Sequence, residues 1–357
     1  MGGKAFAQTL PAASFPRMSP TTYNECKALY KLRLSDLYHI VEVPPEDPEK
    51  VDHGDLDFLA VFPRGDLKHE DVKHVLNAVE SVSVEGNRTS HFAVPLDEVN
   101  NFIQIDVCVC VDQDEFQSVL FFHSYGGISM MLGRMAKTIG MTLSTSALKI
   151  SNAAPDECHP ATFKLSETFV DIIAFFGLSI DVWKEGFSTR RTLFEWLASS
   201  RFFFPERLAS HHIGQNSSER RRTTRDIYQA FGGFADEVAA SRAEELDSET
   251  IESRRSLHRR IQEEALGYFG KKEEYEQIVH SNWVRMRVSK TFTGLKVAKW
   301  TNLWGKKVSE VMKETRKRVG GDEAIAHLDE EEVRRWVLCA YKDLQEVWNS
   351  EKTESLA

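Results

Sequence analysis

Asp52-His53-Gly54-Asp55-Leu56-Asp57-Phe58-Leu59-Ala60-Val61-Phe62 is the stretch on which the reading of this 357-residue chain turns. A turn carrying Gly54 feeds a short, largely apolar strand. Side chains on a strand alternate faces, so Asp55 and Asp57 leave from the same face, two residues apart. Two carboxylates held side by side raise each other's pKa unless a cation sits between them. The spacing therefore points to a hard divalent metal such as Mg²⁺ or Mn²⁺, whose ligands are oxygens.

A second stretch supports the first. Asn101-Phe102-Ile103-Gln104-Ile105-Asp106-Val107-Cys108-Val109-Cys110-Val111 alternates as a β-branched strand, with Ile103, Ile105, Val107, Val109 and Val111 on one face. Gln104, Asp106, Cys108 and Cys110 share the other. Asp106 is a lone acid in an uncharged run, where a buried isolated charge is expensive. It is accounted for if it faces the same cation as Asp55 and Asp57. Three carboxylates on neighbouring strands form the donor set of a two-metal site for phosphoryl or nucleotidyl transfer.

Gly-Asp-Leu-Asp followed by an apolar strand, and a later strand with a single Asp, resembles the DNA polymerase β-like nucleotidyltransferase superfamily. The narrower likeness is to a divergent group of fungal and viral nucleotidyltransferase-like proteins. It rests on Gly2-Gly3-Lys4-Ala5-Phe6, Val43-Pro44-Pro45-Glu46, Gly54-Asp55-Leu56-Asp57, Gly86-Asn87 and Ser124-Tyr125-Gly126-Gly127. Leu132-Gly133, Gly140-Met141-Thr142, Gly177-Leu178 and Phe292-Thr293-Gly294 continue it at low density. The resemblance implies Asp55, Asp57 and Asp106 as catalytic metal ligands, a nucleoside triphosphate as substrate and a hydroxyl acceptor, with RNA favoured.

One part of that pattern is displaced. The superfamily carries a glycine turn about a dozen residues before the paired acids, which cradles the triphosphate with backbone N–H groups. Here the only upstream doublet is Gly2-Gly3, some fifty residues away. The local candidate to replace it is Ser124-Tyr125-Gly126-Gly127, at the start of a helix, acting with Gly54. The alternative for that turn is an N-cap followed by glycines that permit close packing. Two other functions stay open: a catalytically inactive module of the same fold that binds nucleic acid or protein, and an enzyme that nucleotidylates a protein or small molecule.

Composition is that of a globular chain, with 41% hydrophobic and 28% charged residues. A formal net charge of −9 argues against a uniformly basic nucleic-acid binder. Five scattered cysteines fit reduced thiols, and no secretory signal or membrane-length apolar run is present, so the expected location is intracellular, cytoplasmic or nuclear. Cys108 and Cys110 lack zinc-site partners and read as packing.

The expected fold class is α+β: a nucleotidyltransferase-like mixed sheet with flanking helices over 1–155, then a mostly helical region over 156–357. Residues 1 to about 20 read as an irregular arm. A helix is expected over 20–39 with Tyr23, Leu29, Leu32 and Leu34 buried, and another over 69–79. Strands are expected at 81–84, 89–94 and 143–150, a helix or turn at 112–117 followed by a short apolar run at 119–122, and a helix at 128–139. Arg88 and His91 either face phosphate or are solvated turn residues. Ser166 and Ser188 read as helix caps, and Arg220-Arg221-Arg222 as a solvated helix start. Between 283 and 318 lies a basic, aromatic hairpin. Lys296, Lys299, Lys306 and Lys307, interleaved with Trp300 and Trp304, are its candidate nucleic-acid contacts. The same segment also fits a helix hairpin with core tryptophans and solvated lysines.

Overall fold

Apolar alternation and register build the sheet that positions the acids. The computed structural model describes residues 2–11, 14–97, 100–151, 158–208, 226–243 and 253–354. After a 3-10 turn at Lys4–Phe6 comes α1 (Pro20–Ser35), whose N-cap Ser19 accepts from the Thr22 N–H with Pro20 in the first turn. β1 (Tyr38–Glu42) and β2 (Asp55–Pro63) follow, then α2 (His69–Leu76), β3 (Glu80–Val82), β4 (Thr89–Pro95) and β5 (Phe102–Val109). The five strands run β1-β2-β5-β4-β3. Only β2 and β5 are parallel; the remaining pairs are antiparallel. The fold is thus α+β with a mixed sheet in the N-terminal half and a mostly helical C-terminal half.

One face of the sheet is dry. Leu56, Phe58, Ile103, Ile105, Phe92 and Val94 pack against Tyr23, Tyr30 and Leu34 of α1 and Val72 and Leu76 of α2. Positions 23, 30 and 34 form one stripe at helical period, while Leu29 and Leu32 fall off it and are exposed, contrary to expectation. α1 also stops before residue 39, because Tyr38–Glu42 pairs with β2 (Ile40 opposite Val61). The left-handed Asn77 ends α2 short of Val79, whose N–H goes to the Ala93 carbonyl.

The opposite face is covered at two ends. The N-terminal arm supplies Phe6 and Phe15, which stack at 5.7 Å and pack on Ala93 and Phe102. At the other end Phe116 of α3 (Gln113–His123) lies on Leu59, Val61 and Cys110. Asp112 caps α3, which absorbs the whole 119–122 apolar run. The polar residues occupy the gap between these two clusters.

α4 (Ile128–Thr138) and a hairpin of β6 (Met141–Leu143) and β7 (Leu148–Ser151) come next. The expected single strand over 143–150 is split because Ser144 Oγ accepts from the Ala147 N–H and turns the chain. The helices α5 (Phe169–Phe175), α6 (Ile180–Glu185), α7 (Arg190–Ala198), α8 (Pro205–Leu208), α9 (Asp226–Ala243) and α10 (Arg254–Tyr268) follow. The caps of α5 and α7 fall on Thr168 and Thr189, one or two residues beyond the expected serines. Arg220-Arg221-Arg222 lies outside the described residues.

The chain divides into two compact units, residues 1–150 with 164–265, and 151–163 with 266–357. The helices up to 265 therefore group with the sheet, whereas the sequence reading divides the chain once, at 155. Side chains explain the grouping: Arg190 of α7 forms a bidentate pair with Asp47, and the Trp183 indole of α6 donates to Ser124 Oγ.

The second unit holds α11 (Lys272–Thr291), α12 (Gly294–Thr301), α13 (Lys306–Val319), α14 (Asp322–Ala326) and α15 (Glu330–Glu354). Its core is Val288, Phe292, Val297, Val311, Ile325, Val333 and Val337, with Trp283, Trp300 and Trp348 packed around it.

Phe58 is fully buried and Leu32 is 69% exposed. Phe58→Ala is expected to cost about 3–5 kcal/mol in urea unfolding, and Leu32→Ala less than about 0.5 kcal/mol. A larger effect from Leu32 would show that α1 packs by another face.

Candidate active site

Strand register brings the acids together. Asp57 of β2 stands directly opposite Asp106 of β5, and Asp106 directly opposite His91 of β4. The three form a row across three strands on one face. Asp55 lies one pleat along β2, opposite Gln104. Neighbouring strands are about 4.8 Å apart, so two ionised carboxylates in such a row repel by about 1 kcal/mol in water and about 3 kcal/mol at an effective dielectric of 20.

Local contacts hold Asp106 firmly. His91 Nδ1 lies 2.8 Å from its Oδ1, and the Gln104 side-chain amide donates to Oδ1 at 2.9 Å and Oδ2 at 3.1 Å. Burial pushes the Asp106 carboxyl above its usual pKa, and the hydrogen bonds from His91 and Gln104 work against that rise. Among the described residues, Asp57 makes no comparable hydrogen bond. Its pKa is pushed up to about 7, first by enclosure among protein atoms, then by the charges of Asp106, Asp55 and Glu46, with Lys50 opposing. Its side chain nevertheless remains exposed to the cleft. Water thus reaches Asp57, and its strain comes from its neighbours as well as from desolvation.

The acids line a cleft of about 930 Å³. One wall is the 44–52 loop, braced by Tyr23 donating to Glu46 and by Arg190 gripping Asp47. Burial and Glu46 raise the Tyr23 pKa, so its hydroxyl stays a donor. Arg17, Lys50 and Arg190 are the cations that line the cleft among the described residues. Each is already in an ion pair, with Asp52, Glu46 and Asp47 respectively.

The glycine doublet that is remote in sequence is close in space. A Cβ on Gly2 would stand 1.7 Å from the Gly54 carbonyl oxygen, so only glycine fits at this contact. Gly3 adopts φ +81°, and its N–H donates to Gln104 Oε1 at 2.8 Å. The doublet therefore buttresses the floor of the site, its second amide committed to a side chain. Gly54 is buried beneath it and lines the cleft.

The Ser124–Gly127 turn is placed differently from the phosphate cradle considered for it. Ser124 is wholly buried; its hydroxyl donates to the Phe121 carbonyl and accepts from Trp183. Tyr125 is buried too, left-handed at φ +55°, with its N–H on the Pro45 carbonyl. Gly127 N–H bonds Ser124 O. Gly126 and Gly127 reach the cleft, while the Ser124 and Tyr125 side chains serve packing. Arg88 likewise pairs with Glu115, away from the acid row, whereas His91 joins it.

In the second unit, Lys296 is tied to Glu330 and to the Lys290 carbonyl. Arg316 pairs with Asp322, and Arg318 with Glu314 and Asp343. Lys307 lies over the Trp348 ring at 4.6 Å. Lys299 is exposed, and Lys306 is 92% exposed beside the open Trp304. Of the basic segment, Arg285, Lys290, Lys299, Lys306, Lys307, Lys313 and Lys317 are exposed, and Trp304 is its open tryptophan.

Among the described residues, no group of three or more His, Cys, Asp or Glu side chains stands arranged to hold a metal ion. The donor chemistry of Asp55, Asp57 and Asp106 nonetheless suits a hard divalent cation: all oxygen, mutually repelling and open to the cleft. No helix among the described residues is long and apolar enough to cross a membrane. No family model and no curated protein matches this sequence.

An acid whose folded pKa lies above its unfolded value keeps its proton longer in the native state. The stability linked to Asp57 is therefore full at low pH and is lost as pH rises from about 4 to about 7. In EDTA, Asp57→Asn is expected to raise the melting temperature at pH 7.5 and leave it nearly unchanged at pH 4. Equal shifts at both pH values would mean the carboxylate carries no such strain.

Proposed function

We propose that this chain is a template-independent nucleotidyltransferase of the DNA polymerase β-like superfamily, moving a nucleoside monophosphate from a triphosphate to a hydroxyl acceptor. The reading is carried by one observation, the in-register Asp57–Asp106 pair, with Asp55 one pleat away, on the floor of an open cleft. Asp55, Asp57 and Asp106 would hold Mg²⁺ or Mn²⁺, and bound metal supplies positive charge to the entering and leaving oxygens of the transferred phosphoryl group. The cleft's own cations are engaged in ion pairs, so a polyanionic triphosphate depends on that charge to enter.

The chain's residues then divide the work. Asp55 and Asp57 on one strand orient the triphosphate. Asp106 favours loss of the acceptor hydroxyl proton and is kept in place by His91 and Gln104. Lys299, Lys306 and Trp304 offer exposed charge and a ring face to an RNA acceptor, which favours RNA over other acceptors.

A second reading has its own support. Asp106 is already satisfied by two hydrogen-bond partners, and Arg17, Lys50 and Arg190, the cleft cations among the described residues, are paired, which suits a binding module that has lost catalysis.

The two separate in one assay with α-labelled nucleoside triphosphates, Mn²⁺ and pooled RNA. Wild type is expected to transfer label, Asp55→Ala/Asp57→Ala to fall to background, and His91→Ala to lose about 10–100-fold. No transfer by wild type to RNA, protein or small acceptors would leave the binding module. Lys299→Ala/Lys306→Ala should weaken RNA binding and lower the salt slope by about 2; an unchanged slope would remove RNA as the acceptor bound by this turn.

A further inference from the structure

Gln104 is a polar side chain with only 5% of its surface exposed, in a strand whose other face is built of the β-branched Ile103, Ile105, Val107 and Val109. A buried amide is costly unless its donors and acceptor are matched. Here both ends are used. Its carbonyl accepts from the Gly3 N–H at 2.8 Å, and its NH₂ reaches both oxygens of Asp106. The hydrogen bonds run Gly3, Gln104, Asp106, His91, linking the N-terminal turn to the row of functional side chains.

The turn is itself fixed. Gly2 lies against the Gly54 carbonyl, and Gly3 is left-handed with Phe15 where a Cβ would go. Phe15 and Phe6 are in turn anchored on Phe102 and Ala93. The arm reaches β2 beside Asp55 and β5 through Gln104. It thus touches both strands that carry acids.

We infer that Gln104, clamped by the Gly3 amide, is a positioning residue that fixes the Asp106 carboxylate for its work in the cleft, and that the Gly2-Gly3 turn is part of the site's framework. The inference rests on the reading of Asp106 as a functional acid. A carboxylate restrained by two donors loses rotamer freedom before any ligand arrives, so less is lost on binding. Outer-sphere partners of this kind are commonly worth a factor of about 10–100 in metal affinity or rate.

Two measurements test it on the full chain. The first is metal-free: hydrogen exchange of the Gly3 amide in wild type and Asp106→Ala. Loss of Asp106 unpins Gln104, so Gly3 exchange is expected to accelerate about tenfold or more while the α1 amides stay protected. Equal Gly3 exchange in the two proteins overturns the inference. The second compares wild type with Gln104→Met, which keeps side-chain length without polar atoms, and Gln104→Glu, which keeps shape but removes the donor. The Mn²⁺ concentration giving half-maximal thermal stabilisation is expected to rise about 10–100-fold in both. A folded Gln104→Met with the wild-type midpoint also overturns it. If wild type itself shows no stabilisation by Mn²⁺, the metal reading fails, and Gly3 exchange alone decides the role of Gln104.

Discussion

The site depends on one electrostatic constraint: β2 and β5 are parallel neighbours in the register that sets Asp57 against Asp106. Slipping β2 by one residue against β5 would turn Asp55 and Asp57 into the apolar face and bring Leu56 and Phe58 out of it. The hydrophobic pattern therefore enforces the acid pair. Packing of Leu56, Phe58, Ile105 and Val107 against α1 and α2 leaves the carboxylates nowhere else to go.

The opposite, acid-bearing face explains why the cleft exists. Phe6 and Phe15 cover it at the end near Ala93 and Phe102, and Phe116 covers it near Leu59 and Val61. Between these clusters the side chains are Asp55, Asp57, Asp106 and His91. Their charge is costly to bury: Asp57 is left exposed, Asp55 and His91 are half-buried, and the more enclosed Asp106 is hydrogen-bonded. Asp106 receives two hydrogen-bond partners, while Asp57 is left with like charges around it. The asymmetry concentrates unrelieved charge on Asp57, the most exposed of the three acids that line the cleft.

What was legible in the sequence was what strand period controls. Asp55, Asp57, Asp106 and the buried Ile103, Ile105 and Val107 follow from alternation, whereas β5 ends at Val109 and the expected fifth partner, Val111, is exposed. The α+β class follows from the change of period after the sheet. Contacts between distant segments were not legible. Ser124-Tyr125-Gly126-Gly127 has the composition of an anion turn, but Trp183, fifty-nine residues on, uses its hydroxyl. The basic stretch faces few acids in sequence, yet Glu330 and Asp343 reach Lys296 and Arg318 from α15. His91 was visible only as one of two turn-flanking residues. The β4–β5 register, which pairs it with Asp106, decides between them.

Gly2 and Gly54 show how far a close approach can act. Any side chain at residue 2 would overlap the carbonyl one residue before Asp55, so the arm must retreat or β2 must move. Retreat breaks the Gly3–Gln104 hydrogen bond and exposes Phe6 and Phe15, which are buried at 1% and 8% exposure. Movement of β2 disturbs the Asp57–Asp106 register directly. Neither response leaves the site intact. The doublet thus acts on the acids as a steric stop, through two backbone contacts, with its Gly3 amide already spent on Gln104.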